Sequence, residues 1–541
     1  MRTQRSGKKT ANAMVGAWLG LNLLAVALVS NTAAAQAAET SLDFNNGSKE
    51  TPPGLKADEA TTRAAIQLFN DAVTVQANGK HNRLLRALRH LETPALGPLF
   101  VELSRASHPS LQVHGLLGVA ELNQPRGLIA SDIAAVARPD VQAELISAAL
   151  DGDLIDERTR AALLSWHSLP PGVKLLLATP QVAAGEYDYN SPGYEHLFAA
   201  LDANTLGRRG LSAMLLNQLG EDQGRLTLES ITDSTHPSSD AVRATLLETA
   251  WTHGLNGNAA WAFDVATRPG MPPRLEMLAL KVAIRFGDGR GDARWSQRFE
   301  SGGDISLRTR LAWVGLEVAP WLSPERFAPL IESDDPLIAQ LGRTAQAVAQ
   351  SRPGHGQHPA VEAHAVALIE TNHPQAARWA AEYASETGSA ALAAAVVMKT
   401  DPGEPRGRAR RLDAVVRSTQ TLIQLEPDMA ERLLVAALQS EDVDPAWQRG
   451  VLLGLIRSRS NAAREIGDQL PPFTDRNTEA LALVLRLQNP APLNEAQAED
   501  LSLVLRGGAD LDDSLRVQMA WAYLYRTGQG TDAIAAVLAE P

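Results

Sequence analysis

The sequence predicts an all-α fold, a stacked array of helix pairs. Three observations predict it: an alanine- and leucine-rich composition with few aromatics, one amphipathic ten-residue mould that recurs along the chain, and prolines placed where helices begin. Aromatic residues make up only 5% of the 541 and hydrophobic residues 45%, which suits closely packed helices better than a β-sandwich. There is no cysteine, so disulfides, thiolate metal sites and a lipobox cysteine for a lipid anchor are excluded together. Packing alone must hold the fold. A chain of this length divides into several domains unless it is a repeat array, which grows by stacking.

The mould is clearest in two segments. Val141 to Leu150 reads V-Q-A-E-L-I-S-A-A-L, and Val242 to Trp251 reads V-R-A-T-L-L-E-T-A-W. Positions one, five, six, nine and ten share one helix face, while Gln142, Glu144, Arg243 and Glu248 fall away from it, so each segment is an amphipathic helix. The same face recurs more loosely from Leu111, Leu275, Leu307, Leu337 and Val361. Successive starts lie 24 to 33 residues apart, except for an interval between Val141 and Val242 close to three such units. A period near 30 marks units that are helix pairs.

The prolines agree with this register. Pro109, Pro139, Pro336 and Pro359 each stand two residues or fewer before a repeat start, and proline is tolerated only in the first turn of a helix. Asp335 and His358 then occupy N-cap positions. His-Pro occurs four times, at His108, His236, His358 and His373, which explains a third of the twelve histidines as residues at helix starts.

With these residues in place, the chain resembles HEAT repeats, in the short form of about 30 residues also found in the phycobilisome-lyase-type repeat. The resemblance covers 81–370 well. Weaker helical repeats continue through Trp447-x3-Val451-Leu452 and Val517-x3-Trp521. It implies a right-handed α-solenoid of HEAT-like helix pairs, with one helix of each pair lining a concave surface that binds a protein or peptide. Chromophore-lyase activity belongs to one branch of such proteins, and nothing in this chain supports it.

The N-terminus carries Arg2, Arg5, Lys8 and Lys9 ahead of an apolar run from Ala13 to Val29. Ala35-x-Ala37 then fits the small-residue rule of signal peptidase, with cleavage after Ala37. The rival reading is an uncleaved anchor, for which the apolar run is short against the roughly 20 residues of a membrane span. Later hydrophobic runs are all broken by Arg, Glu or Asp, so no membrane span is expected after cleavage. The expected organisation is a signal peptide over 1–37, a flexible linker over 38–56, HEAT-like repeats over 57–352 and more degenerate helical repeats over 353–541. Breaks are expected at Phe286 to Asp304, Ser351 to His358 and Thr400 to Arg408, as loops or minor domain borders. The expected location is the bacterial periplasm or cell exterior, and the protein is not expected to be a lipoprotein.

The formal charge is −12, and loss of the four leader cations takes it to about −16. Such a balance argues against nucleic acid as a partner. The sequence specifies no oligomeric state.

Four constellations could carry chemistry. His355-x2-His358-x5-His364, with Glu362 nearby, resembles a metal site, but helical ligand pairs need their i,i+3 or i,i+4 spacing on a helix, whereas His355 lies in a Ser-Arg-Pro-Gly loop and His358 already serves as a cap. The segment from Glu186 to His196 holds three of the six tyrosines. Tyr187, Tyr189 and Tyr194 with Glu195 and His196 suit a carbohydrate or peptide contact loop, because rings stack on apolar faces while acids accept hydrogen bonds. The plainer reading is an inter-helix loop whose tyrosines pack on neighbouring repeats. Gly287 to Asp292 alternates glycine but has neither the preceding strand nor the following helix of a dinucleotide site, and it reads as a loop. Trp251, Trp261, Trp295, Trp313 and Trp321 crowd the middle third; Trp251 and Trp313 lie within the amphipathic helices and read most simply as core residues, with a substrate-stacking groove as the alternative.

No metalloprotease helix, nucleophile elbow, phosphate loop or paired-carboxylate motif is present. No catalytic, cofactor-binding or metal residue is therefore expected. The function expected is a non-catalytic scaffold or adaptor that binds a protein or peptide partner. The alternative is an α/α-toroid enzyme acting on polysaccharide or peptidoglycan, which needs about six helix pairs closed around an axis, whereas a solenoid stays open.

Overall fold

The structure is a computed structural model. It describes residues 97–487 apart from 124–126, 153, 302, 352–358, 402–406, 441–442 and 459, together with 85, 86, 88 and 89. The leader, the linker, His355, His358 and the repeat around Val517 and Trp521 lie outside the described residues. The fold is all-α: twenty-four α-helices and no β-strand among the described residues, with one isolated bridge between Leu128 and Ile155. Among the described residues no helix is long and apolar enough to cross a membrane.

The described residues fall into two compact units, one of 123–332 and one combining 85–122 with 333–487. In the latter, α1 (Gly97–Ser104) and α2 (Pro109–Leu122) pack on each other. Gly115 makes their close approach feasible, since a Cβ there would meet the Ser104 backbone nitrogen at 2.2 Å.

The unit of 123–332 begins with α3 (Ala130–Ala134), α4 (Pro139–Asp151), α5 (Glu157–Leu164), α6 (Pro171–Ala184) and α7 (Tyr194–Ala199). It continues with α8 (Leu206–Gln218), α9 (Asp222–Asp233), α10 (Ser239–His253), α11 (Ala259–Thr267) and α12 (Pro273–Arg285). It ends with α13 (Gly289–Glu300), α14 (Ile305–Glu317) and α15 (Ala328–Ile331). The helices α4, α6, α8, α10, α12 and α14 form a continuous row, each touching the next. Between them α5 packs on α6, α9 on α8 and α10, α11 on α12, and α13 on α12 and α14.

The mould explains why the row forms. Val141, Leu145, Ile146 and Ala149 of α4 are fully buried, and so are Leu247 and Ala250 of α10. Each helix hides its apolar stripe only against neighbours. The two segments stand three steps apart in the row, with α6 and α8 filling the interval between them. Leu275 and Leu307 lie on α12 and α14, the next two steps.

Two expectations are corrected in this unit. Arg243 does not fall away from the core: it is only 2% exposed. Its guanidinium donates to the carbonyls of Ile231, Thr232 and Ser234, closing the C-terminal end of α9, and to Asp240. The stretch from Phe286 to Asp304 is not a break, because α13 occupies most of it. Gly287 turns the chain at φ +84°, and the Asp288 carboxylate accepts from the Arg290 backbone N–H at 2.9 Å as an N-cap. A helix therefore begins within the glycine run. Its buried stripe is Gly291, Trp295 and Phe299 at four-residue spacing, sparse enough to be masked by the surrounding Gly, Arg and Asp.

In the other unit, α16 (Pro336–Gln350), α17 (Pro359–Ile369), α18 (Pro374–Thr387) and α19 (Ala390–Lys399) are followed by α20 (Arg408–Leu425) and α21 (Pro427–Leu438). It closes with α22 (Pro445–Ser458), α23 (Asn461–Gln469) and α24 (Arg476–Leu487). A second row runs α18, α20, α22 and α24, and α21 touches α23 beside it. Trp447, Val451 and Leu452 of α22 lie in its core. Leu337 and Val361 lie on α16 and α17, consecutive helices packed together rather than alternate ones. Their spacing is accordingly the shortest in the series.

Nine of the described α-helices begin with proline, including the four expected. Asp335 caps α16, accepting from the backbone N–H groups of Leu337 and Ile338 at 3.0 and 2.9 Å. The His373 ring accepts from the Gln375 N–H at 3.3 Å to cap α18. His236 differs: Pro237 precedes α10 by two residues, and the His236 ring meets Ser238 instead.

Candidate functional site

The turn from Tyr187 to Pro192 is built by bonds between near neighbours. Gly185 ends α6 in the left-handed region, φ +73°. Tyr187 then turns inward, 4% exposed, and its hydroxyl donates to the Pro192 carbonyl at 2.9 Å. The Asp188 carboxylate accepts from the Asn190 N–H at 2.9 Å and the Ser191 hydroxyl at 3.2 Å, closing a side-chain turn. That turn leaves Tyr189 at its tip, 76% exposed. Gly193, at φ +86°, leads into α7, and a Cβ there would lie 3.4 Å from the Tyr187 hydroxyl.

At the start of α7 the Tyr194 ring lies 6.4 Å from Tyr187 and 5.5 Å from Phe198, and its hydroxyl donates to Glu221 at 2.6 Å. His196 places Nε2 at 2.6 Å from the Lys174 ammonium and 3.4 Å from the Glu195 carboxylate. Lys174 belongs to α6 and is only 2% exposed. Of the five residues singled out in the sequence, Tyr187, Tyr194, Glu195 and His196 gather in one cluster, while Tyr189 stands at the surface.

The electrostatics follow from burial. Burial, with Glu195 and Tyr194 alongside, pushes the Tyr187 hydroxyl up, and burial with the Glu221 bond pushes Tyr194 up to about 12. Burial pulls Lys174 down, against Glu195. His196 is pulled down by burial and then by the charge of Lys174, again against Glu195. The amine is sealed inside. What reaches solvent is Tyr189, the Glu195 carboxylate and part of His196.

Sequence reasoning missed Lys174 and Glu221. Lys174 stands alone among Val173, Leu175 and Leu177, and a single lysine in an apolar run was the available signal. Glu221 lies beyond α8, where no local pattern ties it to Tyr194.

A second cluster crosses the row. Trp251 of α10 and Trp321, in the turn after α14, meet edge to face with ring centroids 5.8 Å apart. From α12, Arg285 lies 4.5 Å from the Trp251 centroid and 5.2 Å from that of Trp321, and donates to the Trp251 carbonyl at 2.7 Å. Lys281 lies 4.8 Å over Trp251 and pairs with Glu317 of α14. Trp251 is half-buried rather than core, and Trp321 is 46% exposed. Trp261, Trp295 and Trp313 are core residues.

Of the histidine cluster, His364 and Glu362 are described, both on α17, and Glu362 accepts from the Ser389 hydroxyl. Among the described residues no group of three or more His, Asp or Glu could hold a metal ion. No family model matches the chain, and no curated protein is similar to it in sequence.

Proposed function

We propose that the protein is an exported, non-catalytic helical-repeat scaffold whose units are stretches of α-solenoid, and that it binds a protein or peptide partner along a row of alternate helices. The observation that carries this reading is the Trp251–Arg285–Trp321 cluster. Two successive helices of one row and the turn after the third deliver it, and an exposed tryptophan is held in place by an arginine that stacks on it. Tryptophan and arginine are the residues on which binding energy concentrates at protein interfaces. The row itself supports the solenoid, since helices that touch the next but one build an array by repetition. The basic leader, apolar run and Ala35-x-Ala37 support export, and the acidic balance disfavours nucleic acid.

The test is recovery of a partner from envelope extract by the full chain, with Trp321→Ala and Tyr189→Ala in parallel. The reading predicts a discrete partner whose affinity falls by about tenfold or more with Trp321→Ala. Recovery unaffected by Trp321→Ala would remove the row as the binding surface, and recovery of no partner together with turnover of a glycan by the purified protein would replace the scaffold with the toroid-enzyme reading.

A further inference from the structure

We propose that the Lys174–His196 contact is an acid-operated latch on the Tyr189 loop: a second proton on the pair parts the two side chains and frees 186–196 from α6. This goes beyond the scaffold reading and does not depend on what binds Tyr189.

The contact sets its own protonation rule. Two nitrogens 2.6 Å apart share a hydrogen bond only if one of them offers a lone pair. The amine is the stronger base and keeps the shared proton, so the Lys174 ammonium donates to an unprotonated Nε2 and His196 carries its proton on Nδ1. When Nε2 takes up a proton the acceptor is lost, and two cations face each other where Lys174 cannot retreat to solvent. His196 can move, because its side chain is 26% exposed and Glu195 already stands 3.4 Å from Nε2.

The surroundings hold little else to absorb the charge. Lys174 faces His196 from α6, His167 from the loop before α6, and Glu195 from α7 itself. Tyr187 and Tyr194 sit beside it as neutral phenols. The helix α8, also packed on α7, brings Arg208 and Arg209, the residue before α9 brings Glu221, engaged by Tyr194, and the turn after α7 brings the exposed Asp202.

Moving His196 disturbs what positions Tyr189. Gly193 sits between the two: a Cβ there would lie 3.6 Å from the His196 ring and 3.4 Å from the Tyr187 hydroxyl that closes the loop. Tyr194, two residues before His196, carries the bond to Glu221. The sign follows from His196 being held below its ordinary range. Between the ordinary value near 6.5 and the lower folded one, the opened loop binds more protons than the closed loop. The latch therefore weakens as pH falls through that window and gains nothing above it.

The experiment is hydrogen exchange of the full chain between pH 7.5 and 5, corrected for intrinsic rates, with the His196 ring resonance followed in parallel. The latch predicts that exchange in 186–196 speeds up by about tenfold as His196 titrates, while α8 and α10 change little. His196→Gln keeps an acceptor for Lys174 but cannot titrate, so its loop exchange should be flat across the same range. Lys174→Met should raise the His196 titration toward the ordinary value. A pH-independent loop in the native chain, or an unchanged response in His196→Gln, would overturn the proposal; the native-chain measurement decides even where Lys174→Met fails to fold.

Discussion

Tyr189 and Trp321 are the two exposed aromatic residues described, and they are held in opposite ways. The bonds that shape the Tyr189 turn all lie between 187 and 193, and the turn rests on a buried amine and an imidazole. Trp321 depends on Trp251 and Arg285, 70 and 36 residues earlier in sequence, brought together by the repeat of helix on helix. A locally braced residue can be switched by one proton. A residue braced by register is lost only when the packing beneath it is lost, which suits a permanent anchor.

The largest expected effect separates the two directly. Trp295 of α13 is 1% exposed, donates from Nε1 to the Leu311 carbonyl at 2.8 Å and lies over Gly315 of α14. Trp295→Ala should cost about 4 kcal/mol in urea unfolding. Hydrogen exchange in α14 and the turn to Trp321 should accelerate more than in 186–196; equal acceleration would mean that both aromatics hang on one core.

Next in size is Tyr194→Phe, which removes the donor to Glu221 and should cost about 1.5 kcal/mol. Its effect should centre on 186–199 and leave the fluorescence of the Trp251–Trp321 pair unchanged. An altered tryptophan signal would show that the two sites are mechanically joined.

The alkaline limb gives a further contrast. Tyr187 and Tyr194 ionise above the ordinary tyrosine value, Tyr194 at about 12. The unfolded chain loses these protons first, so their contribution to stability is complete below about pH 10 and declines as pH rises toward 12. Absorbance at alkaline pH should show tyrosines that ionise late in the native protein and at the ordinary value in denaturant, with one fewer late-ionising group in Tyr194→Phe. The smallest stability effect is expected for Trp321→Ala, about 1 kcal/mol from lost aromatic and cation–π contacts. A melting temperature little changed alongside a lost partner would mark Trp321 as a binding residue rather than a structural one.

What the sequence showed and what it hid divide along the same line. Helix class, the proline starts and the Asp335 cap were legible because each depends on residues within one turn. The buried faces of α4 and α10 were legible because their stripes are dense. The α13 helix was not, because its stripe is one glycine and two aromatics among Gly, Asp and Arg, a composition that reads as turn chemistry. Arg243 looked solvent-facing because a ten-residue window cannot see the orphan carbonyls of α9 that it closes. The tyrosine cluster was visible as a cluster, but Lys174 was not visible as its foundation, since burial of a lone lysine is decided by the neighbouring helix.

A photo-reactive phenylalanine analogue placed at position 321 of the full chain in living cells tests the central claim most directly. The same probe at Leu226, 54% exposed on α9 outside the row, is the comparison. The scaffold account predicts a discrete protein adduct from position 321 and none from position 226. Adducts from 226 alone, or from neither position, would contradict it.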